Sequence, residues 1–225
     1  MADSLPLFPL RAVLLPGANL PLHIFEPRYR QLTADLMSGA LPDRRFGVIA
    51  LKPSMEREVT SVEQLTAIGC SAVLRHVDPL PDGRFDIITT GERRFRLLAL
   101  DSTSAPYLMG EVEWVPDAEQ ALAAESVSML AESARSAHRR YCTAAWRTED
   151  WSEPADDTET RELAHALAAD CLLSVEDRQE LLEEVRPLHR LRLVGRLLNR
   201  EAGFLTALRA VPAPPSHFSE PICLN

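Results

Sequence analysis

The stretch "HVDPLPDGRFDIITT", His76 to Thr90, limits the folds open to this chain more than any other segment. An Asp82–Gly83 pair stands between two runs of alternating apolar and polar residues. Such a pair is the strongest short-range signal for a β-hairpin, and it predicts a type I′ turn with positive φ at both central residues. Phe85, Ile87 and Thr89 then fall on one face. Gly91 allows a bend, and Phe95, Leu97 and Ala99 continue an inward face. A lone hairpin is marginal in water, so the chain must supply further strands.

It does so on either side. "LPLFPL", Leu5 to Leu10, reads as a strand in which Pro6 and Pro9 each remove a ladder donor, which predicts an edge or a short strand. "FGVIAL", Phe46 to Leu51, is a continuous apolar run bounded by charge and by Pro53, the pattern of a buried strand. "YLMGEVEWV" alternates Leu108, Gly110, Val112 and Trp114 against Met109, Glu111 and Glu113. Several short strands with turns between them predict a small barrel or a sandwich. One helix interrupts them, in "LPLHIFEPRYRQL", Leu20 to Leu32. Pro27 suits the first helical position, and the Glu26 carboxylate meets the positive end of the helix dipole. Tyr29, Leu32, Leu36 and Met37 form an apolar stripe, and Gly39 lies where a C-terminal cap is expected.

The second half reads as helix. Leu122, Val127, Leu130, Ala134, Ala137 and Tyr141 share one stripe, and Leu163, Leu167 and Cys171 share another. Ser174 and Asp177 resemble a capping box ahead of "VEDRQELLEEV". A last helix is expected from about Pro187 to Leu208. "RTEDWSEPADD", Arg147 to Asp157, is a polar, acidic linker between helices. The organisation expected is α+β: residues 1–117 a β domain with one inserted helix, residues 118–210 a helical domain, and 211–225 an extended or disordered tail.

Composition excludes more than it selects. A net charge of −9 argues against binding nucleic acid through backbone electrostatics. Cys70, Cys142, Cys171 and Cys223 form no CxxC pair. With no signal peptide and no apolar run of about 18 residues, they read as reduced thiols in a cytoplasmic protein.

Taken in order, "LPLFPLRAVLLPGANLPLHIFEPRYRQL", "FGVIAL", "IGCSAVLRHVDPLPDGRFDIITTGERRFRLL" and "PYLMGEVEWV" resemble the N-terminal substrate-binding domain of Lon proteases, and the chain looks like the stand-alone bacterial form of it. "LLSVEDRQELLE" is similar to the helical part that follows in the family, while residues 118–160 match little. The resemblance implies a PUA-like β-barrel followed by a helical bundle, and a non-catalytic protein that binds exposed apolar polypeptide segments or a protein partner, as an adaptor. Both chemical parts of full-length Lon are missing from the sequence. There is no GxxxxGK[ST] loop to cradle phosphates. Lys52, the only lysine, has no paired serine motif to serve as the family's Ser–Lys dyad.

The site residues follow from the corner and from the resemblance. His23 and Glu26 have the residue types of an acid–base pair, but the helix start gives Glu26 a structural part, buried against an arginine or backbone N–H groups. Glu26 and Arg28, with Gly83, Gly91 and Arg94, are read as structural. One exposed apolar patch is expected where the barrel meets the helical half, with His23, Phe25, Tyr29 and Phe95 as its candidates for holding polypeptide. His138 and Cys142 have i, i+4 spacing, but two ligands do not make a stable zinc site. No metal, cofactor, membrane or catalytic residue is expected, and self-association is left open. The rival reading is a small-molecule or RNA-binding PUA-like module, which a basic surface at Arg93, Arg94 and Arg96 would favour. Trp146 and Trp151, near the linker, are candidates to close a groove.

Overall fold

The computed structural model describes residues 2–53, 59–119, 124–145 and 153–208. Its elements are β1 (Asp3–Leu10), β2 (Asn19–Ile24), α1 (Pro27–Ser38), β3 (Arg45–Ala50), β4 (Ile68–Pro79), β5 (Phe85–Asp101), β6 (Met109–Trp114), α2 (Ala124–Ala144), α3 (Thr160–Ala168), α4 (Val175–Glu183) and α5 (Pro187–Leu208). They fall into two compact units, Met1–Pro116 and Asp117–Asn225. No helix among the described residues is long and apolar enough to cross a membrane.

The first unit is a mixed sheet in the order β2-β5-β4-β3-β1-β6. The long strand β5 also pairs with β6, so β5, β4, β3, β1 and β6 form a closed circuit, with β2 added outside it. Ring closure removes the sheet edge along much of these strands, and β2, outside the ring, pairs with β5 alone among the described residues. Leu5, Leu7, Ile49, Leu65, Phe95, Leu108 and Val112 form the buried cluster within this unit.

Three local expectations change. First, β1 is neither a short strand nor an edge. Its first half pairs with β6 (Asp3 opposite Val112, Pro6 opposite Met109) and its second half with β3 in parallel (Leu7 opposite Gly47, Leu10 opposite Ala50). Each half therefore pairs chiefly on one side, which is how a strand with Pro6 and Pro9 can sit inside a sheet.

Second, the hairpin forms, but not through a type I′ turn. The Leu80 N–H donates to the Arg84 carbonyl, and the Gly83 N–H donates to the Leu80 carbonyl. Only Gly83 has positive φ, at 79°. This is a three-residue loop, a type I turn followed by a left-handed glycine. Pro81 explains the choice: before a two-residue turn it would have no N–H to give the Arg84 carbonyl, whereas its fixed φ suits the first central position of a type I turn.

Third, Ala99 is exposed. The β5–β6 register shifts between Leu97 and Ala99, and a bulge of one residue reverses which side chains point inward.

Helix α1 begins at Pro27 and ends at Gly39, whose φ of 80° makes the left-handed cap. Its buried residues are Tyr29, Leu32, Thr33 and Leu36. Thr33 takes the inward place expected of Met37, and its hydroxyl is satisfied by donating to the Tyr29 carbonyl. Met37 is exposed.

Among the described residues, the elements of the second unit are all helices. Ala134, Ala137 and Tyr141 of α2 are buried, as are Leu163 and Leu167 of α3, and both helices pack on α5. The Ser174 hydroxyl caps α4 by accepting the Asp177 N–H and donating to the Asp177 carboxylate. Arg190, 1% exposed, is the most buried charged residue described in the unit. It makes a two-pronged contact with Asp117 at 2.8 and 3.1 Å, and also donates to the carbonyls of Glu184 and Arg161. Of the predicted linker, residues 153–157 are described. Glu153, Ala155, Asp156 and Asp157 are exposed. Even so, Arg135 donates to the carbonyls of Pro154 and Ala155, and Arg139 pairs with Glu153. The rest of the linker, with Trp146 and Trp151, and the 211–225 tail lie outside the described residues.

Candidate functional site

The strands β2 and β5 set Pro21 opposite Ile88 and His23 opposite Asp86. These four residues lie on the face away from Ile87 and Thr89, which are buried. Ile88 is 43% exposed, and so is Phe25 just beyond β2. The Phe25 ring lies against His23 with centroids 6.3 Å apart and planes 27° from parallel. An apolar strip of Pro21, Ile88 and Phe25 thus borders a polar group.

That polar group has a defined hydrogen-bond sense. His23 Nε2 is 3.1 Å from Arg84 Nη1, and Nδ1 is 2.6 Å from Asp86 Oδ1. A guanidinium can only donate, so Nε2 accepts, and Nδ1 carries the proton given to Asp86. Arg84 is also paired with Asp82 in the turn. An Asp–His pair invites comparison with a catalytic base, but here the nitrogen that would take a proton is occupied by Arg84. Neither ring nitrogen bonds a serine, threonine or cysteine among the described residues. The arrangement is suited to holding a surface in shape.

The structural corner takes a different form from the one expected. Glu26 is not buried. Its side chain is 37% exposed and pairs with Arg28 at 2.8 Å, two residues along, because the first turn of α1 points both into solvent. Arg28 also lies over the Tyr29 ring, 4.7 Å from its centroid. Tyr29 and Phe95 are corrected from surface candidates to core. Tyr29 stacks on Phe8 with centroids 3.9 Å apart, and burial pushes its hydroxyl pKa up to about 12, despite the Arg28 charge. Phe95 is fully buried among strand glycines: a Cβ on Gly69 would stand 2.4 Å from its ring, and one on Gly47 2.8 Å.

Gly91 sits where the 14–18 segment meets β5. Its N–H donates to the Ala18 carbonyl, and a Cβ there would lie 2.2 Å from the Leu15 carbonyl oxygen. The register of β4 and β5 shifts beside it, as a bend requires. Gly83 lies under the Arg30 guanidinium, which ties the hairpin turn to α1. Arg94 is buried, and Arg93 lies 3.9 Å over the Trp114 ring. The three arginines 93, 94 and 96 therefore make no continuous basic surface.

Pro21, Arg84, Asp86 and Ile88 were missed as site residues. Ile88 was legible: once Phe85, Ile87 and Thr89 face inward, the isoleucine between them must face out. The partnership with β2 was not, because it joins residues far apart in the chain.

In the helical unit, Leu172, Phe204, Asp177, Arg200 and Glu201 help line an open depression of about 640 Å³. Its charges are spent on one another, since Arg200 pairs with both Asp177 and Glu201. Cys142 Sγ lies 3.7 Å from His138 Nε2, and no group of three or more metal-binding side chains occurs among the described residues. Burial raises the Cys142 thiol pKa to about 11 and that of Cys70 to about 12, away from a reactive thiolate.

The chain is thus of the α+β class, with a mixed six-stranded sheet that carries an exposed apolar strip, followed by a helical unit. The family model of the ATP-dependent protease La (LON) substrate-binding domain matches residues 4–200, and the chain belongs to that family. It is similar to the Lon protease of Anaeromyxobacter dehalogenans, 28% identical over 209 residues, which are 89% of this chain and 24% of that one. It is also similar to that of Cytophaga hutchinsonii, 25% identical over 92% of this chain and 25% of that one. The chain thus spans about a quarter of the length of these curated relatives. Among solved structures, the Lon N-terminal domain protein from Xanthomonas campestris is 30% identical, with a TM-score of 0.58 over 84% of this chain and 95% of that one. The N-terminal domain of a Mycobacterium avium complex Lon protease shares the fold, with a TM-score of 0.60 at 24% identity, over 87% of this chain and 98% of that one.

Proposed function

We propose that this chain is a non-catalytic cytoplasmic protein that holds exposed apolar segments of polypeptides, acting as an adaptor for a partner. The observation that carries this is the exposed Pro21–Ile88–Phe25 strip in a member of a substrate-binding domain family. Apolar patches that persist on a protein surface usually mark an interaction site. The proposed binding residues are His23 and Phe25, with Pro21 and Ile88 beside them. The domain reading goes with it: a PUA-like barrel over 1–117, supported by the closed strand circuit, a helical bundle over 118–210, and a tail at 211–225. No cofactor enters the proposal, because polypeptide capture by surface burial needs none.

Binding is expected to be weak, because a small strip buries little area and an extended client loses entropy on ordering. It should depend little on salt, since the contacts are mainly apolar. The test is a fluorescence titration with reduced, carboxymethylated α-lactalbumin at low and high salt, beside a structured RNA. Saturable polypeptide binding that survives salt, and that falls in Phe25→Ser and Ile88→Ser variants, is the expected result. Salt-sensitive RNA binding with none to the polypeptide would overturn it in favour of a nucleic-acid module.

A further inference from the structure

The geometry points to a specific mode of capture: an extended client segment adds to the sheet as a strand along the free edge of β2. The inference rests on the polypeptide-binding reading above and goes beyond it, because it assigns recognition to backbone groups.

Among the described residues, strand β2 is paired on one side alone, with β5. Which of its groups face outward follows from the ladder. Gly91 N–H donates to the Ala18 carbonyl at 2.9 Å, so Ala18 is turned toward β5. In an antiparallel pair the residues alternate, so Leu20, Leu22 and Ile24 also turn toward β5. Asn19, Pro21 and His23 turn away from it. Among the described residues, no backbone hydrogen bond reaches these three from another segment. The free edge therefore offers the carbonyls of Asn19, Pro21 and His23 and the N–H groups of Asn19 and His23. Asn19 and Pro21 are exposed and His23 half-buried.

Pro21 decides between occupants. A second copy of β2 pairing about a two-fold axis at Pro21 would set two prolines face to face, leaving two carbonyls with no donor between them. A strand with any other residue at that place donates its own N–H to the Pro21 carbonyl. That register is closed to a second copy and open to a foreign strand.

Side chains extend the match. The residue opposite Pro21 would continue the row Ile88–Pro21 on the exposed face, so an apolar residue is favoured there. The residue opposite Asn19 would continue the row Thr90–Asn19, so a polar residue is favoured. The ligand class is an extended segment with alternating apolar and polar residues. Main-chain bonds would supply affinity, and these alternate positions selectivity.

Amide hydrogen exchange of the full chain, read residue by residue by NMR with and without carboxymethylated α-lactalbumin, tests this. Unbound, Asn19 and His23 should exchange fast, and Leu20 and Leu22 slowly. At saturation, Asn19 and His23 should gain protection. His23→Pro removes both the imidazole and an outward N–H that the native ladder does not use, whereas His23→Ala removes the imidazole alone. His23→Pro should therefore bind about five-fold more weakly than His23→Ala. Saturable binding with no new protection at Asn19 and His23 would overturn strand addition while leaving polypeptide binding intact, and equal losses in the two variants would do the same. Absence of binding at any concentration would overturn the functional reading itself. If His23→Pro fails to fold, the exchange result on the unaltered protein decides alone.

Discussion

Phe25 and Phe95 carry the same side chain and meet opposite fates, one exposed beyond β2 and the other sealed among glycines. Nothing in their immediate neighbours separates them. What does separate them is the placing of Gly47 and Gly69, small residues on two other strands that leave room for one large ring. The charged residues make the same point. Glu26 is an exposed partner of Arg28, so Glu26→Ala should cost about 1 kcal/mol or less. Asp117 neutralises the buried Arg190, whose Nε already lacks a hydrogen-bond partner among the described residues. Asp117→Ala would strand that charge and should cost roughly 3–5 kcal/mol in urea unfolding. Equal effects would mean that Arg190 finds water or another partner when Asp117 is gone. The sequence pointed to the wrong member of this comparison, because the value of an ion pair is set by burial, and burial is a property of the packed unit.

At the scale of elements, the hairpin turn shows how one residue redirects a strong local signal. Asp82–Gly83 promised positive φ at both positions, yet Pro81 moves the turn to the three-residue form and leaves the left-handed conformation to Gly83. Gly83→Ala should therefore cost about 1–2 kcal/mol for an L-residue at positive φ, and more if the Arg30 guanidinium cannot move aside. Asp82→Gly should bring no gain, since its φ is already one that ordinary residues adopt. Thermal melts of both variants check this, and a stabilising Asp82→Gly would restore the primed turn. Hairpin, helix α1 and the α4 cap were legible because each depends on residues close in sequence. The division of β1 between two neighbours and the bulge beyond Leu97 were not, because a register belongs to two strands at once.

For the whole molecule, the proposed boundaries predict where the chain opens. Brief proteolysis should cut within 147–157 or after Val211 before it cuts within 5–116, where β5 is paired on both sides along most of its length. Early cleavage within Ile88–Leu98 would contradict the assignment of that segment to a central strand. By itself, the sequence determined the elements whose causes are local: alternation in the strands, the caps and stripe of α1, and the helices of the second unit. It also determined the family, because many short motifs stand in one order. Only the tertiary structure decided which strands close on one another, which aromatic rings are core, and that β2 pairs on one side alone among the described residues. The reason is physical. Local preferences act between neighbours along the chain, whereas ring closure, burial and a free sheet edge depend on which distant segments compete for the same backbone hydrogen bonds and the same apolar space.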